Sequence, residues 1–254
     1  MKYYFIEKIF NNSAVKDLRN LIENNYEKYS NFQFEKKYIN DPIFKYILSS
    51  EIINFLDRNL EDDYYLFHSF VIQKNNRTYK KMRYHKDSGK PHQSELLCKK
   101  KNIYGKIGIP LQDNIKGIGG GIDILKPFFL DNLSDKNKFI NKLRALYYFL
   151  LDKLTDTQLK TVVGEVIFFD ALLSHRTSYT EEKKTMNIPD KYVIYFQLIN
   201  LSTIKEVLKK KRNLSKEVLS DDIENNIQTI NFGKKKIKIL NHEISEEIGS
   251  YIGA

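Results

Sequence analysis

The chain holds five histidines, and one of them lies in "YHKDSG", where His85 precedes Asp87 by two residues. Successive side chains of an extended strand alternate between faces, so His85 and Asp87 point one way and Lys86 the other. That spacing suits a metal ion. His-x-Asp also arises by chance, so the pair needs a third ligand, and His175, a few residues beyond the apolar run "GEVIFFD", is the candidate. Two histidines and one carboxylate on one face of an octahedral ion leave three adjacent positions open, the arrangement of non-haem Fe(II) oxygenases. The other histidines are weaker candidates. His68 lies in an aromatic strand pattern that suits a hydrogen-bonded core role, His92 follows Pro91 in a loop, and His242 falls in the charged tail.

The elements that must position these residues are legible from periodicity. "YYLFHSFVIQK" reads as a strand ahead of the His-Asp pair, and "YGKIGIPLQDN" as an apolar strand that ends in a polar turn. "KGIGGGIDILKP" adds glycines and a short strand, "VVGEVIFFDALLSHRTSYT" a buried strand, a turn and a short extension, and "KYVIYFQLIN" a further strand. Strands therefore flank both His85 and His175. Helical spacing runs from Ser13, as N-cap, to Tyr26, and again from about Ser49 to Leu60. Ser134 to Leu154 reads as a helix inserted between strands, Ile204 to Leu219 as a charged helix, and "IQTINFGKKKIKIL" as a hairpin that turns at Gly233.

At 254 residues and 41% hydrophobic, with 17 Tyr and 16 Phe, the chain can bury a substantial aromatic core, which excludes disorder. A single domain is expected, with a core at about 62–200, N-terminal helices over 1–60 and a helix and hairpin over 201–254. The lone cysteine, Cys98, excludes an internal disulfide framework and fits a reducing compartment. No apolar run reaches membrane-spanning length and the start lacks a secretory pattern, so a soluble cytoplasmic protein with no membrane partner is expected. The formal charge of +10 raises the question of a polyanion partner. Its lysines are mostly interspersed with acids, and the dense runs "KEVLKKKRN" and "FGKKKIKIL" are read as solvated faces, so no nucleic-acid partner is expected.

Taken in order, "SSEIINFLDRNLEDDYYLFHSFVIQK", "HKD", "KIGIPLQDNIKGIGGGIDIL" and "GEVIFFDALLSHRTS" followed by "KYVIYFQL" resemble the phytanoyl-CoA dioxygenase-like branch of the Fe(II)/2-oxoglutarate oxygenases. The resemblance covers about residues 45 to 200. It implies a mainly β fold, a double-stranded β-helix of the jelly-roll or cupin type with helices on one outer side. It also implies His85, Asp87 and His175 as iron ligands, and Thr177 as a hydroxyl near a carboxylate of the co-substrate. The family places an arginine at the start of the next strand to pair with the distal carboxylate of 2-oxoglutarate. Here Lys191 stands there, with Lys184 as the alternative anchor; a lysine supplies the charge without the bidentate fork. Arg176 adjoins a ligand position and is read as pointing away.

The family's Pro-Gly-Ser-His turn is replaced by "LKPFF", so the primary substrate cannot be carried over. Tyr104, Lys106 and Gln112, on the strand after the metal pair, either contact 2-oxoglutarate or substrate or serve sheet packing. The resemblance implies hydroxylation of a C–H bond in a small or carrier-linked metabolite, with dioxygen and 2-oxoglutarate consumed and succinate and carbon dioxide released. A carboxylate at 87 favours hydroxylation over halogenation, which needs a small residue there. Two other readings stay open: a non-catalytic jelly-roll binding module, and a basic nucleic-acid-binding protein.

Overall fold

The computed structural model describes residues 4–29, 31–33, 41–60, 63–74, 84–87, 96–97, 102–114, 121–125, 137–154, 159, 161–177, 190–212, 223–232 and 235–252, for some of them, His68 and Thr177 included, the backbone alone. Among these residues two sheets form. The larger has the order β1-β6-β4-β8-β3-β10-β9, with β2 also paired to β3, and the smaller pairs β5 with β7. The strands are β1 (Tyr4–Lys8), β2 (Asn31–Gln33), β3 (Tyr64–Lys74), β4 (Tyr104–Pro110), β5 (Ile122–Ile124), β6 (Glu165–Asp170), β7 (His175–Thr177), β8 (Tyr192–Asn200), β9 (Ile227–Phe232) and β10 (Lys235–Leu240).

Chain order alternates between the sheets. β3, β4, β6 and β8 lie in the large one, while β5, β7 and His85, bridged to His175, belong to the small one. Successive segments winding between two facing sheets make a double-stranded β-helix, the fold expected from the resemblance.

Residue parity sets what each face of the large sheet touches. On one face Ile107 and Ile109 of β4, Val166 and Phe168 of β6, and Ile194, Phe196 and Leu198 of β8 share one core with two helices, α1 (Asn12–Asn24) and, after the single turns α2 (Tyr26–Tyr29) and α3 (Phe44–Ile47), α4 (Ser50–Asn59). α1 buries Val15, Leu18 and Ile22, and α4 buries Ile52, Ile53, Phe55 and Leu56, the apolar stripes their spacing predicts. Ser49 caps α4, its hydroxyl accepting from the Ile52 amide at 3.3 Å. The cap of α1 is Asn11 rather than Ser13: the Asn11 side-chain oxygen accepts from the Ala14 amide at 2.8 Å, so the helix starts earlier than expected. On the opposite face Ile167 and Phe169 pack against Ile122, Ile124 and Leu173, with Tyr195 alongside, and fill the space between the sheets.

Two elements extend the large sheet beyond the sequence reading. β1 pairs antiparallel with β6, and Phe5 stacks on Phe168 with ring centroids 4.7 Å apart. At the other side the expected β9–β10 hairpin forms and joins β3 in parallel, Ile239 opposite Leu66; its turn at Gly233 lies outside the described residues. The inserted helix appears as α5 (Lys138–Leu154), and the charged helix as α6 (Leu201–Arg212), residues 213–220 being outside the described set. His242 begins a further helix, α7 (His242–Ile252), where a charged tail was expected. Ile244, Ile248 and Ile252 pack it into the same apolar cluster as Ile204, Val207 and Leu208 of α6. Arg212 pairs with Glu247, and Lys211 donates to the Ser250 hydroxyl at 2.8 Å, so part of the basic run is committed to holding α7.

Candidate metal centre

The two histidine segments meet as a hydrogen-bonded antiparallel pair. The His85 amide donates to the His175 carbonyl and the His175 amide to the His85 carbonyl, each at 2.9 Å. Residues exchanging both bonds lie directly opposite and share a face, and the two imidazole rings have centroids 4.6 Å apart. Asp87, two residues on and so on the same face, is fixed by its amide donating to the Ala171 carbonyl at 2.9 Å. The outcome is a cluster in which one donor atom from each of His85, Asp87 and His175 lies within 4.8 Å of the others.

The turn between β6 and β7 aims His175. Asp170 accepts from the Leu172 amide through its carboxylate at 2.8 Å and from the Leu173 amide through its carbonyl at 2.9 Å. The Leu173 carbonyl then lies 2.9 Å from His175 Nδ1. A carbonyl can only accept, so Nδ1 carries the proton and Nε2 keeps its lone pair, 3.6 Å from Asp87 Oδ1. Burial lowers the His175 pKa, against the opposing pull of Asp87, and so favours the neutral, ligating imidazole.

Asp87 has two unlike oxygens. Oδ1 accepts from Lys106 Nζ at 2.9 Å, whereas Oδ2 is buried and has no hydrogen-bond partner among the described residues. A buried, unpartnered carboxylate oxygen is costly, and a cation is the group that would satisfy it. Tyr104 Oη is likewise buried without a partner, and its pKa is pushed far up by desolvation and then by the nearby Asp87 charge. Two imidazoles and a carboxylate, one imidazole tautomer fixed from behind and one carboxylate oxygen unsatisfied, fit a divalent transition metal and leave part of its coordination sphere open.

The remaining candidates fall into place unevenly. Lys191 is not a surface residue: it is only 6% exposed, and burial lowers its pKa. It immediately precedes β8, in phase with Val193 and Tyr195. Thr177 closes β7, paired with Ile122, but its side chain lies outside the described residues, as do Lys184, His92 and Cys98 entirely. Gln112 accepts from the Tyr192 amide at 2.8 Å and so ties the end of β4 to β8.

Arg176 does point away from the cluster. It pairs with Asp123 of β5 at 2.9 Å, both side chains being 5% exposed, and its guanidinium lies 4.0 Å from the centroid of the Tyr84 ring. This link joins the segment of His85, the strand of His175 and β5 from the side opposite the imidazoles. Sequence reasoning missed it, although a lone aspartate inside the apolar "IDIL" signals a buried charge in need of a partner.

No protein-family model matches the chain, and no curated protein matches it. Solved structures do resemble it. HygX from Streptomyces hygroscopicus, with nickel and 2-oxoglutarate bound, superposes with a TM-score of 0.52 at 14% identity over 79% of this chain and 83% of its own. HygX has also been solved with iron bound. AviO1 from Streptomyces viridochromogenes Tue57 gives 0.51 at 12% identity over 79% of this chain and 91% of its own. A non-heme monooxygenase, ThoJ in complex with nickel, gives 0.52 at 7% identity over 78% and 74%. At such identities the likeness is one of fold, and it agrees with the jelly-roll architecture.

Proposed function

We propose that this protein is an Fe(II)/2-oxoglutarate-dependent dioxygenase of the phytanoyl-CoA dioxygenase-like kind, hydroxylating a C–H bond of a small or carrier-linked metabolite. The observation that carries the proposal is the convergence of His85, Asp87 and His175 from separate segments onto one cluster, with a buried Asp87 oxygen left unsatisfied. The fold shared with HygX, which binds 2-oxoglutarate alongside a metal, supports the choice of co-substrate.

In this reading His85 Nε2 or Nδ1, His175 Nε2 and an Asp87 oxygen hold Fe(II). The iron with 2-oxoglutarate supplies the oxidant: of the two atoms of dioxygen one enters succinate, the other the substrate C–H bond as an alcohol, and carbon dioxide leaves. The chain's own residues bind, orient and exclude water. The Leu173 carbonyl holds the proton on His175 Nδ1, so that the ligating nitrogen cannot be protonated by tautomer exchange. Lys191 neutralises the distal carboxylate of 2-oxoglutarate, Thr177 donates its hydroxyl to the same co-substrate, and Tyr104 and Lys106 line the metal side of its site. Tyr104 has a buried hydroxyl in want of an acceptor, which an entering carboxylate or substrate oxygen would provide. Phe169, with its ring centroid 4.8 Å from that of His175, keeps water from one side of the cluster.

The test is spectroscopic. Anaerobic protein loaded with one Fe(II) should develop, on addition of 2-oxoglutarate, the weak visible absorption of a keto acid bound to ferrous iron. A metabolite screen should then find compounds that stimulate succinate release. Verified binding of both components without the absorption would favour a non-catalytic jelly-roll module.

A further inference from the structure

α5 is inside out. Among the described residues seven large hydrophobic side chains are exposed, and five of them, Phe139, Leu143, Leu146, Phe149 and Leu150, lie on this one helix, with Leu146 57% and Phe149 55% exposed. At about 100° per residue, positions 139, 143, 146 and 150 fall within an arc of about 60° and make a continuous stripe along the outer face. Over residues 137–150 the buried side chain is Arg144, on the far side of the helix. A helix that buries an arginine and exposes a stripe of Phe and Leu keeps apolar surface in water at a cost, and such a patch marks an interaction site.

The residues beside the stripe select the partner. Lys138 and Lys142 are exposed along one flank, and the one acid of α5, Asp152, falls by helical phase about 180° from Leu143, away from the stripe. In a face-to-face dimer of this chain, those lysines would approach one another with no acid beside the stripe to offset them. A convex helix with a Phe/Leu stripe and lysines at its margin fits a lipid interface, where the stripe enters the acyl boundary and the ammonium groups reach anionic headgroups. The chain's formal charge of +10 acts in the same direction. Among the described residues no helix is long and apolar enough to cross a membrane, so α5 would lie in the plane of the surface.

We propose that α5 docks this protein onto an anionic lipid surface. This reverses the expectation of no membrane partner, which rested on the absence of a spanning run and on lysines interspersed with acids, and it is independent of the oxygenase reading. The experiment is flotation of the full chain with vesicles of phosphatidylcholine alone or with about one-third phosphatidylglycerol, over a salt series. Wild-type protein should float with the anionic vesicles and detach as salt rises. Leu146→Ser/Phe149→Ser and, separately, Lys138→Glu/Lys142→Glu should each weaken binding at least about tenfold, with circular dichroism and metal binding unchanged. Absence of wild-type flotation, or flotation unaffected by both double variants, would overturn the proposal. So would a solution dimer that Leu146→Ser/Phe149→Ser converts to monomer, which would assign the stripe to a second copy.

Discussion

Lys106→Met tests the electrostatics of the site most directly. Lys106 Nζ lies 2.9 Å from Asp87 Oδ1, and the two side chains are 24% and 7% exposed. Removing one partner of a buried ion pair costs about 3–5 kcal/mol, and surface pairs are worth under about 1 kcal/mol. Lys106 keeps some contact with water, so an intermediate loss of about 2 kcal/mol is expected for the metal-free protein. With a divalent ion on Asp87 the carboxylate is compensated whether or not the lysine is present, and the loss should nearly vanish.

A thermodynamic cycle then requires the variant to bind metal more tightly, by the same 2 kcal/mol or so, which is a factor of about thirty. Urea unfolding of metal-free protein gives one side of the cycle, and competition with a chromophoric chelator for Ni(II) gives the other. The two must agree. If Lys106→Met leaves metal-free stability within about 0.5 kcal/mol of wild type and weakens metal binding tenfold or more, Lys106 serves to pose Asp87 for the metal, and the counter-ion argument fails.

His85→Ala, Asp87→Ala and His175→Ala should each remove most of the affinity for one Fe(II), and stoichiometric binding that survives all three would refute the cluster as the site. Lys191→Ala should weaken 2-oxoglutarate binding about a hundredfold with little change in Fe(II) affinity, because the bound carboxylate loses its counter-charge; that loss with Lys184→Ala and not with Lys191→Ala would move the anchor to the loop. Since burial lowers the Lys191 pKa from 10.5, wild-type affinity for 2-oxoglutarate should be full below that lowered value and fall as pH rises through it, before a solvated lysine would titrate. Lys191→Arg should remove this alkaline loss, as read by titrating the visible absorption at each pH. Arg176→Met removes the buried guanidinium paired with Asp123 and should destabilise the protein by about 3 kcal/mol or more in urea unfolding; Arg176→Met/Asp123→Leu should recover most of it, and failure to recover would mean the pair is not self-contained.

The parts of the site that were legible in the sequence are those with a local rule behind them. Alternation along a strand makes His85 and Asp87 co-facial whatever lies around them, and apolar runs bounded by turns locate β3, β4, β6 and β8. His175 could be paired with them from order and resemblance, but its bridge to His85 is a contact across ninety positions that no local pattern encodes. The same limit hid Lys106–Asp87 and Arg176–Asp123, where the signal available was a charge inside an otherwise apolar strand. β1 was passed over because five residues at the chain start carry no periodicity longer than one pairing, and its place is set by Phe5 against Phe168 and Phe55. The cap of α1 moved by two residues because Asn11 and Ser13 are both competent caps, and packing of Val15, Leu18 and Ile22 chooses the phase.

Charge accounting gives the proposed site an order of filling. In the metal-free cluster the Asp87 carboxylate offsets the Lys106 ammonium. On that balance alone a dianion such as 2-oxoglutarate gains little at the cluster, since the Lys106 charge is already committed to Asp87. A divalent ion on the cluster changes the sign of the balance: it satisfies the stranded Asp87 oxygen and makes the cluster strongly positive, and with Lys191 as the proposed anchor the co-substrate would meet opposite charge at two points. A dicarboxylate able to reach both points is then favoured over a monocarboxylate of similar size, which could neutralise only one. Metal binding should therefore precede and strengthen 2-oxoglutarate binding, and by linkage 2-oxoglutarate should retain the metal by the same factor.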